Sequence, residues 1–237
     1  MDYMDGCVIF DTETTGLDVE KDDFVQLGCI VFPESNPSNR TSSVWLADPG
    51  MDVPDAATAV HGITTQAVKG RLPSKTIAQA WWDDHQHHEV FVGHNIRSYD
   101  MPLLAKHIDW PDDLPVIDTL HLAQRLDPHS PDHRLETLYR AYKLGDGVEL
   151  TAHNALDDCE MAMRLLLHYQ ARLRGSLKAI ADWLSQPVLL PVIPFGKHKG
   201  KIPQDVPAQY ARFMLTKTLS PDMRYTLTSV LSRSFGP

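Results

Sequence analysis

Two acidic residues stand one residue apart at the end of an apolar run near the start of the chain. The run reads CVIFDTET and carries Asp11 and Glu13. Side chains of a β-strand alternate between its two faces, so both carboxylates would point to the same side. Like charges that close together repel each other unless a cation lies between them. The pair therefore predicts a cation site at the end of the first strand.

Two further acids and a histidine occupy comparable positions. Asp100 opens a helix after the apolar strand VFVGHN, and Asp158 lies in the first turns of a helix that begins near His153. Functional groups of α/β proteins gather where strands end and helices begin, so we expect the four acids to meet at one edge of a sheet. Such oxygen ligands suit Mg²⁺ or Mn²⁺, and a pair of these ions can cleave phosphodiesters. His153 is suitably placed to act as the base.

The elements that must position these groups follow from the hydrophobic patterning. Five apolar runs have the length and composition of strands: 7–11, 24–32, 42–48, 90–95 and 114–120. Four segments have helical spacing: 74–84, 98–108, 134–144 and 155–173. The first three strands have short connections and predict an antiparallel meander, and helices alternate with strands after it. This order predicts an α/β fold with a mixed sheet.

The composition is that of a globular protein with unevenly distributed charge. The 237 residues carry a net charge of −9, but residues 187–237 hold seven Lys or Arg and two Asp, a net of +5 that leaves −14 for the rest. We therefore predict a large domain over 1–180, a linker over 181–194 and a small basic C-terminal module over 195–237. Three cysteines, no secretory signal and no apolar run of about 20 residues predict a cytoplasmic protein.

The acidic residues fall in three motifs that resemble those of a known family. DTETTG (11–16), HNIRSYD (94–100) and HNALDD (153–158) are similar to the exonuclease motifs of the DEDDh 3′–5′ exonucleases, which have an RNase H-like fold. Three secondary marks agree: QLG (26–28), HGIT (61–64) and IDTL (117–120). The stretch FGKHKGK (195–201) resembles the extension Phe-Gly-Lys-x-x-Gly-Lys of exonuclease X-like members. The resemblance implies a five-stranded mixed sheet and hydrolysis at 3′ ends that releases nucleoside 5′-monophosphates.

The resemblance also implies a role for each residue of the acidic set. Asp11, Glu13 and Asp158 would hold the first of two Mg²⁺ or Mn²⁺ ions. Asp11 would bridge to the second ion, and Asp100 would act on that ion partly through water. His153 would be the general base.

Substrate contacts are implied for residues outside the acidic set, namely Thr14, Thr15, Gly16, His61, Ile63 and Asn95. Thr14, Thr15 and Gly16 would contact the 3′-terminal nucleotide. His61 and Ile63 would line its pocket or wedge between terminal bases, and Asn95 would support the site near Asp100. The basic tail has two interpretations. If it is extended, Lys197, Lys199 and Lys201 share one side and grip the phosphate backbone, and otherwise it is a solvated loop.

Several alternatives stay open. Asp157 precedes Asp158, and adjacent residues of a helix point about 100° apart, so only one of the two can face the site. The register of the motif assigns that position to Asp158. DNA 3′ ends, single-stranded or in a frayed duplex, are the favoured substrate, as in repair or proofreading. A 3′–5′ exoribonuclease similar to RNase T or oligoribonuclease is the alternative, because nothing in the sequence shows how a 2′-OH is treated. A non-catalytic interaction subunit is disfavoured because all five motif residues are present. A polymerase or a second copy of the chain are further candidate partners, and a membrane is not.

Overall fold

The computed structural model describes residues 4, 6–33, 40–145, 147 and 150–233. Its strands form one five-stranded sheet in the order β3-β2-β1-β4-β5. Their bounds are β1 Cys7–Thr14, β2 Phe24–Phe32, β3 Thr41–Leu46, β4 Val90–Gly93 and β5 Val116–Asp118. The first three strands pair antiparallel, whereas β4 and β5 add in parallel beside β1. The expected mixed sheet that begins with a meander is confirmed.

Helices cover both faces of this sheet. Ten α-helices lie within the described residues: α1 Asp55–His61, α2 Thr65–Val68, α3 Ser74–His85, α4 Asp100–Leu104, α5 Thr119–Leu126, α6 Leu135–Ala141, α7 Ala155–Leu173, α8 Leu177–Ser185, α9 Ala208–Leu215 and α10 Pro221–Arg233. A short 3₁₀ helix spans Pro203–Asp205. The predicted helix at 98–108 shortens to α4, while the one at 155–173 is confirmed with its bounds. None of these helices is long and apolar enough to span a membrane.

The alternation along β1 divides the core into two layers. Cys7 and Ile9 pack with α5, α6, α7 and α8 on one face, and Val8 and Phe10 pack with α3 and α4 on the other. Because the period of a strand is two, the odd-numbered face of β1 continues from Ile9 towards Asp11. The α7 face of the sheet is therefore where the acidic pair emerges.

The region after α7 differs from the expected linker. Helix α8 runs to Ser185, and its Ala181 and Leu184 pack in the same cluster as β1 and α7. Residues 181–185 are thus part of the large core, and the expectation of a linker beginning at 181 is wrong there. An unpredicted helix explains the error, since the expectation relied on the Pro-rich stretch that follows.

A third hydrophobic cluster lies in residues 187–233, here called the C-terminal segment. Its members are Leu190, Ile193, Val206, Ala211, Met214, Met223, Leu227 and Val230. Asp222 of α10 forms a buried ion pair with Arg125 of α5, with Nε–Oδ2 and Nη2–Oδ1 distances of 2.6 and 2.7 Å. Arg125 also donates to backbone carbonyls of Trp183, Leu184 and Gln186 at the end of α8. The pair thereby ties the C-terminal segment to the large core. Residues 234–237 of the expected module lie outside the described residues.

Candidate active site

The first two acids lie at the end of β1 on the face covered by α7. Asp11 pairs in register with Gly28 of β2, and Glu13 pairs with Gln26. Glu13 is buried and Asp11 is half-buried. The register shifts between Glu13 and Thr14, so the regular ladder ends directly after the acidic pair. The strand therefore presents two neighbouring carboxylates where its pairing becomes irregular.

The sequence QLG on β2 brings the start of α7 to these acids. A Cβ at Gly28 would lie 2.6 Å from the carbonyl carbon of Ala155 and 2.7 Å from the amide nitrogen of Leu156, closer than atoms can pack. Gln26 Oε1 accepts a hydrogen bond of 3.0 Å from the Ala155 N–H, one of the unpaired donors of the helix N-terminus. The missing side chain and the amide bond together place the first turn of α7, and Asp158 with it, beside β1.

Asp100 reaches the same place from the start of α4. Its Oδ1 accepts two hydrogen bonds from Thr12, one from the backbone N–H at 2.9 Å and one from the hydroxyl at 2.6 Å. Thr12 lies between the two acids of β1, so these bonds hold the Asp100 carboxylate against that strand. Asp100 is buried, with 4% of its surface exposed.

The four carboxylates and His153 line one cavity of about 800 Å³. Ligand atoms of Glu13, His153 and Asp158 all lie within 4.8 Å of one another, a spacing that could hold a metal ion. None of the ion pairs found in the described residues involves any of the four carboxylates. The cavity therefore concentrates negative charge that these residues do not neutralise.

Burial raises the pKa of every acid in the group. Burial, followed by repulsion from Asp158 and Asp100, raises the pKa of Glu13 to about 8. Burial raises the pKa of Asp158 to about 7 although the His153 N–H opposes the rise, and it raises that of Asp100 to about 6 against the bonds from Thr12. Burial and the three other acids raise the pKa of Asp11 well above its usual range. A divalent cation would lower the pKa of all four carboxyl groups, because an opposite charge nearby favours the ionised form.

His153 stands at the exposed rim of the cavity in a strained backbone conformation. Its φ is +65°, a region that residues other than Gly seldom occupy. Its backbone N–H donates to Asp158 Oδ2 at 2.9 Å, which stabilises this conformation. The next residue, Asn154, caps α7 through its side chain. Asp157 is turned away from the cavity lining and accepts the Thr151 N–H at 2.9 Å.

Asn95 lies in the cavity wall, held by a residue that the motif analysis did not single out. Its φ is +65°, and its N–H donates to Asp118 Oδ1 at 2.8 Å. Asp118 is fully buried, also accepts from the Arg97 N–H, and caps α5 through Leu120. It thereby shapes the loop that leads to Asp100. In the sequence, Asp118 is the acid of the short motif IDTL (117–120), at the junction of a strand and a helix.

The end of β1 is tied down by a tyrosine that motif reasoning also missed. The Tyr99 hydroxyl bonds to Thr14 Oγ1 at 2.6 Å and to the Gly16 carbonyl. Tyr99 lines the cavity, whereas Thr14, Thr15 and Gly16 are next to it in the fold without being part of its lining. Thr15 is buried and donates to Asp22. No local pattern marks Tyr99, because its role depends on a contact 85 residues away in the chain.

His61 and Ile63 do not reach the cavity lining. His61 Nε2 donates to the Thr14 carbonyl at 3.1 Å, and its Nδ1 accepts the Ile63 N–H at 3.0 Å. Burial lowers the pKa of His61, so the ring is neutral with its proton on Nε2. The Ile63 side chain packs in a small cluster with Val25, Val53 and Val68. Both residues support the end of β1 from behind.

The three lysines of the basic tail lie at a turn, and one of them lines the cavity. Residues 197–200 form a turn instead of an extended run, with φ near +78° at both Gly196 and Gly200. The expectation of an extended segment is therefore wrong, because positive φ at two glycines folds the loop back on itself. Lys199 lines the cavity, whereas Lys197 and Lys201 do not.

The comparisons with known proteins agree with this fold. The RNase_T exonuclease family model matches residues 8–166, about two thirds of the chain. The chain belongs to this exonuclease family, which confirms the expected enzyme class of a hydrolytic exonuclease. The expected narrower DEDDh group, with its general-base histidine, stays a prediction.

Individual relatives extend the comparison. The chain is 31% identical to DNA polymerase III PolC-type of Latilactobacillus sakei over 141 residues, and 31% identical to that of Streptococcus mutans over 164 residues. These matches cover 58% and 67% of this chain but only 10% and 11% of the relatives. The chain thus spans about a tenth of the length of the curated relatives it matches.

Two solved structures share the fold. Exonuclease X in complex with 5′ overhanging duplex DNA matches with a TM-score of 0.59 and 24% identity, over 74% of this chain and 98% of that one. E. coli exonuclease I with a 5cy-dT13 oligonucleotide matches with a TM-score of 0.58 and 19% identity, over 76% of this chain and 42% of that one. The RNase H-like exonuclease arrangement of the sheet and helices is confirmed.

Proposed function

We propose that this chain is a divalent-metal-dependent 3′–5′ exonuclease that releases nucleoside 5′-monophosphates from the 3′ ends of DNA. One observation carries the proposal: the four carboxylates and His153 surround one cavity in a chain of the exonuclease family. DNA as substrate is supported by the solved relatives, which include exonuclease X with duplex DNA and exonuclease I with DNA oligonucleotides. The PolC-type relatives support a polymerase as partner.

The donor set fits two Mg²⁺ or Mn²⁺ ions. Three carboxylates, Asp11, Glu13 and Asp158, would hold the first ion, with Asp11 shared with the second ion and Asp100 acting on the second partly through water. Their raised pKa values support this assignment, since each carboxylate gains by ionising next to a cation. When bound, such ions would lower the pKa of the attacking water and offset charge on the scissile phosphate and the leaving oxygen.

His153 would take the proton of the attacking water. Its ring nitrogen lies within 4.8 Å of the Glu13 and Asp158 oxygens, and the residue is exposed, so the proton can pass on to solvent. Its backbone bond to Asp158 keeps the imidazole at the rim of the cavity while the chemistry proceeds. The strain at φ +65° is consistent with a functional position.

The 3′-terminal nucleotide would lie beside the end of β1. Thr14 and Gly16 would contact it, and Tyr99 would hold both in place through its hydroxyl. Thr15, His61 and Ile63 would act from behind, by fixing the backbone that these contacts use. Asn95 would position the loop before Asp100. Lys199 would meet a phosphate of the strand, and Lys197 and Lys201, which do not line the cavity, would add positive charge near the same turn. We also propose that the C-terminal segment is a separate unit that begins after Ser185.

Digestion of labelled substrates tests the proposal. Single-stranded DNA, duplex DNA and RNA, each labelled at the 5′ end, are incubated with Mg²⁺, Mn²⁺ or EDTA. We expect DNA ladders that shorten from the unlabelled end, no digestion in EDTA, and loss of activity in Asp11→Asn and His153→Ala. Preferred digestion of RNA would replace the DNA substrate with the exoribonuclease alternative. Intact substrates in both metals would overturn the function.

A further inference from the structure

The cavity that holds the carboxylates continues to the C-terminal segment. Part of its wall consists of Pro194, Phe195 and Lys199 from that segment and Leu120 and Gln124 from α5. The acids mark where a scissile phosphate would lie. Because the same cavity contains both groups, this part of the wall is within reach of the strand that leads to the phosphate.

Gln124 is a polar side chain in this wall that lacks a complete set of partners. It is 4% exposed, and its Oε1 has no hydrogen-bond partner among the described residues. Buried amide oxygens are nearly always hydrogen-bonded in folded proteins, and an unpaired one next to a cavity can accept a bond from a ligand. Amino groups and ring N–H groups of nucleobases are donors of the required kind.

Phe195 adds an aromatic surface to the same wall. Its side chain is 37% exposed, although the large apolar residues nearby in the chain, Val192 and Ile193, are buried. A half-exposed ring in a nucleic-acid-sized cavity offers a face on which any base can stack. Lys199 is exposed at the same place, and its charge acts on Asp132 and His133 across the cavity. The wall thus combines a ring, an amide and a cation.

The turn that carries these groups is fixed in place. The Gly200 N–H donates to the Ile193 carbonyl and the Ile193 N–H donates to the Lys201 carbonyl, both at 2.8 Å. Gly196 lies against the Tyr210 hydroxyl so closely that a Cβ would come within 2.5 Å of it. The Arg125–Asp222 pair described above then ties the whole segment to α5, the helix that carries Gln124. The ring and the amide are consequently held at a constant separation.

We propose that Phe195, Gln124 and Lys199 form a subsite for the nucleotide on the 5′ side of the scissile phosphate. Phe195 stacks on its base, Gln124 accepts a hydrogen bond from the edge of that base, and Lys199 pairs with a phosphate of the strand. This inference rests on the proposed exonuclease function, because that function places a nucleic-acid strand in the cavity. The terminal nucleotide, next to Thr14 and Tyr99, does not use this subsite.

Two substrates separate the subsite from the chemistry. A 5′-labelled DNA decamer has a penultimate nucleotide, whereas the methyl ester of thymidine 5′-monophosphate has only a methyl group in its place and no ring to stack on Phe195. With the full-length chain we expect Phe195→Ala to raise the decamer KM roughly tenfold, as the loss of one stacked base would. Gln124→Leu, which keeps the side-chain size, should raise it by a smaller factor. Hydrolysis of the ester should stay within about twofold of wild type for both variants.

Matched controls come from the same segment. Phe213→Ala removes another exposed ring that lies outside the cavity, and it should leave both substrates unaffected. A decamer with an abasic penultimate position should bind the wild type and Phe195→Ala equally. Lys199→Gln should lower the slope of log KM against log salt by about 0.7, whereas Lys217→Gln should not.

The two substrates distinguish failure of the subsite from failure of the proposed exonuclease function. If the wild type hydrolyses both substrates but Phe195→Ala leaves the decamer KM unchanged, the subsite is overturned and the exonuclease function stands. An equal loss on the ester also overturns the subsite, since the ring would then serve the terminal nucleotide or the fold. If the wild type hydrolyses neither substrate, the proposed function itself falls and the subsite falls with it.

Discussion

Replacing Asp158 with asparagine should make the metal-free protein more stable while it removes activity. The pKa of this carboxyl group rises from 3.8 to about 7 because the folded chain buries it, and because Asp157 and Glu136 repel its charge. A carboxyl group with a raised pKa contributes stability that is fully present below its unfolded pKa and is lost as the pH rises through the folded value. Metal-free wild type should therefore lose stability between about pH 4 and pH 8.

The magnitude follows from the same pKa. One pKa unit corresponds to about 1.4 kcal/mol, so ionising Asp158 in the folded protein costs up to about 4 kcal/mol at pH 8. Water reaches the half-buried carboxylate and screens part of this, so we expect Asp158→Asn to raise the free energy of unfolding by about 1–3 kcal/mol. The asparagine Oδ1 can still accept the His153 N–H that now bonds to the carboxylate. At pH 4, where the acid is already protonated, the gain should vanish.

Urea denaturation in EDTA, at pH 4 and at pH 8, measures the free energy of unfolding of the wild type and of Asp158→Asn. Asp109→Asn is the control, since its carboxylate is exposed and lies outside the cavity lining. That variant should change stability by less than about 0.5 kcal/mol and keep its activity. If Asp158→Asn destabilised the metal-free protein at pH 8, the buried carboxylate would not cost stability when ionised and the reasoning would be refuted.

Three further predictions concern the elements that position the site. Gly28→Ala should lower the free energy of unfolding by about 1–3 kcal/mol and reduce kcat, because the new Cβ meets the Ala155 backbone at 2.6 Å. An unchanged urea midpoint would contradict this expectation. Asp222→Ala should lower the free energy of unfolding, measured with heat or urea, by about 3–5 kcal/mol, because it leaves the buried charge of Arg125 unpaired. A loss below about 1 kcal/mol would show that the ion pair does not hold the C-terminal segment. Tyr99→Phe should raise KM for the thymidine ester several-fold with little change in the urea midpoint, and an unaltered KM would disprove its role at the end of β1.

Sequence reasoning recovered those features that local pattern determines. Alternation and apolar runs located the five strands, and the 3.6-residue period located α7 with its bounds. The motif register brought Asp11, Glu13, Asp100 and Asp158 together, because acids at the junctions of strands and helices meet at one sheet edge.

Features set by contacts between distant residues were missed. Tyr99 and Asp118 lie within the motifs HNIRSYD and IDTL, but their roles appear only when the chain brings them against Thr14 and Asn95. Gln124 lies in no motif, and its position in the cavity lining appears only in the folded chain. The lysine turn was misjudged because alternating lysines are compatible with an extended run, while the two glycines at positive φ determine the actual conformation. Helix α8 was overlooked because a Pro-rich stretch directly follows it.

The proposed chemistry depends most on the binding of divalent cations by the four acids. Isothermal titration of Mn²⁺ into the metal-free chain at pH 7.5, with thymidine 5′-monophosphate present, tests this binding directly. We expect saturable binding that releases protons, because carboxyl groups with raised pKa values must ionise to become ligands, and we expect Asp11→Asn to abolish it. Absence of binding at millimolar Mn²⁺, or equal binding by Asp11→Asn, would contradict the account.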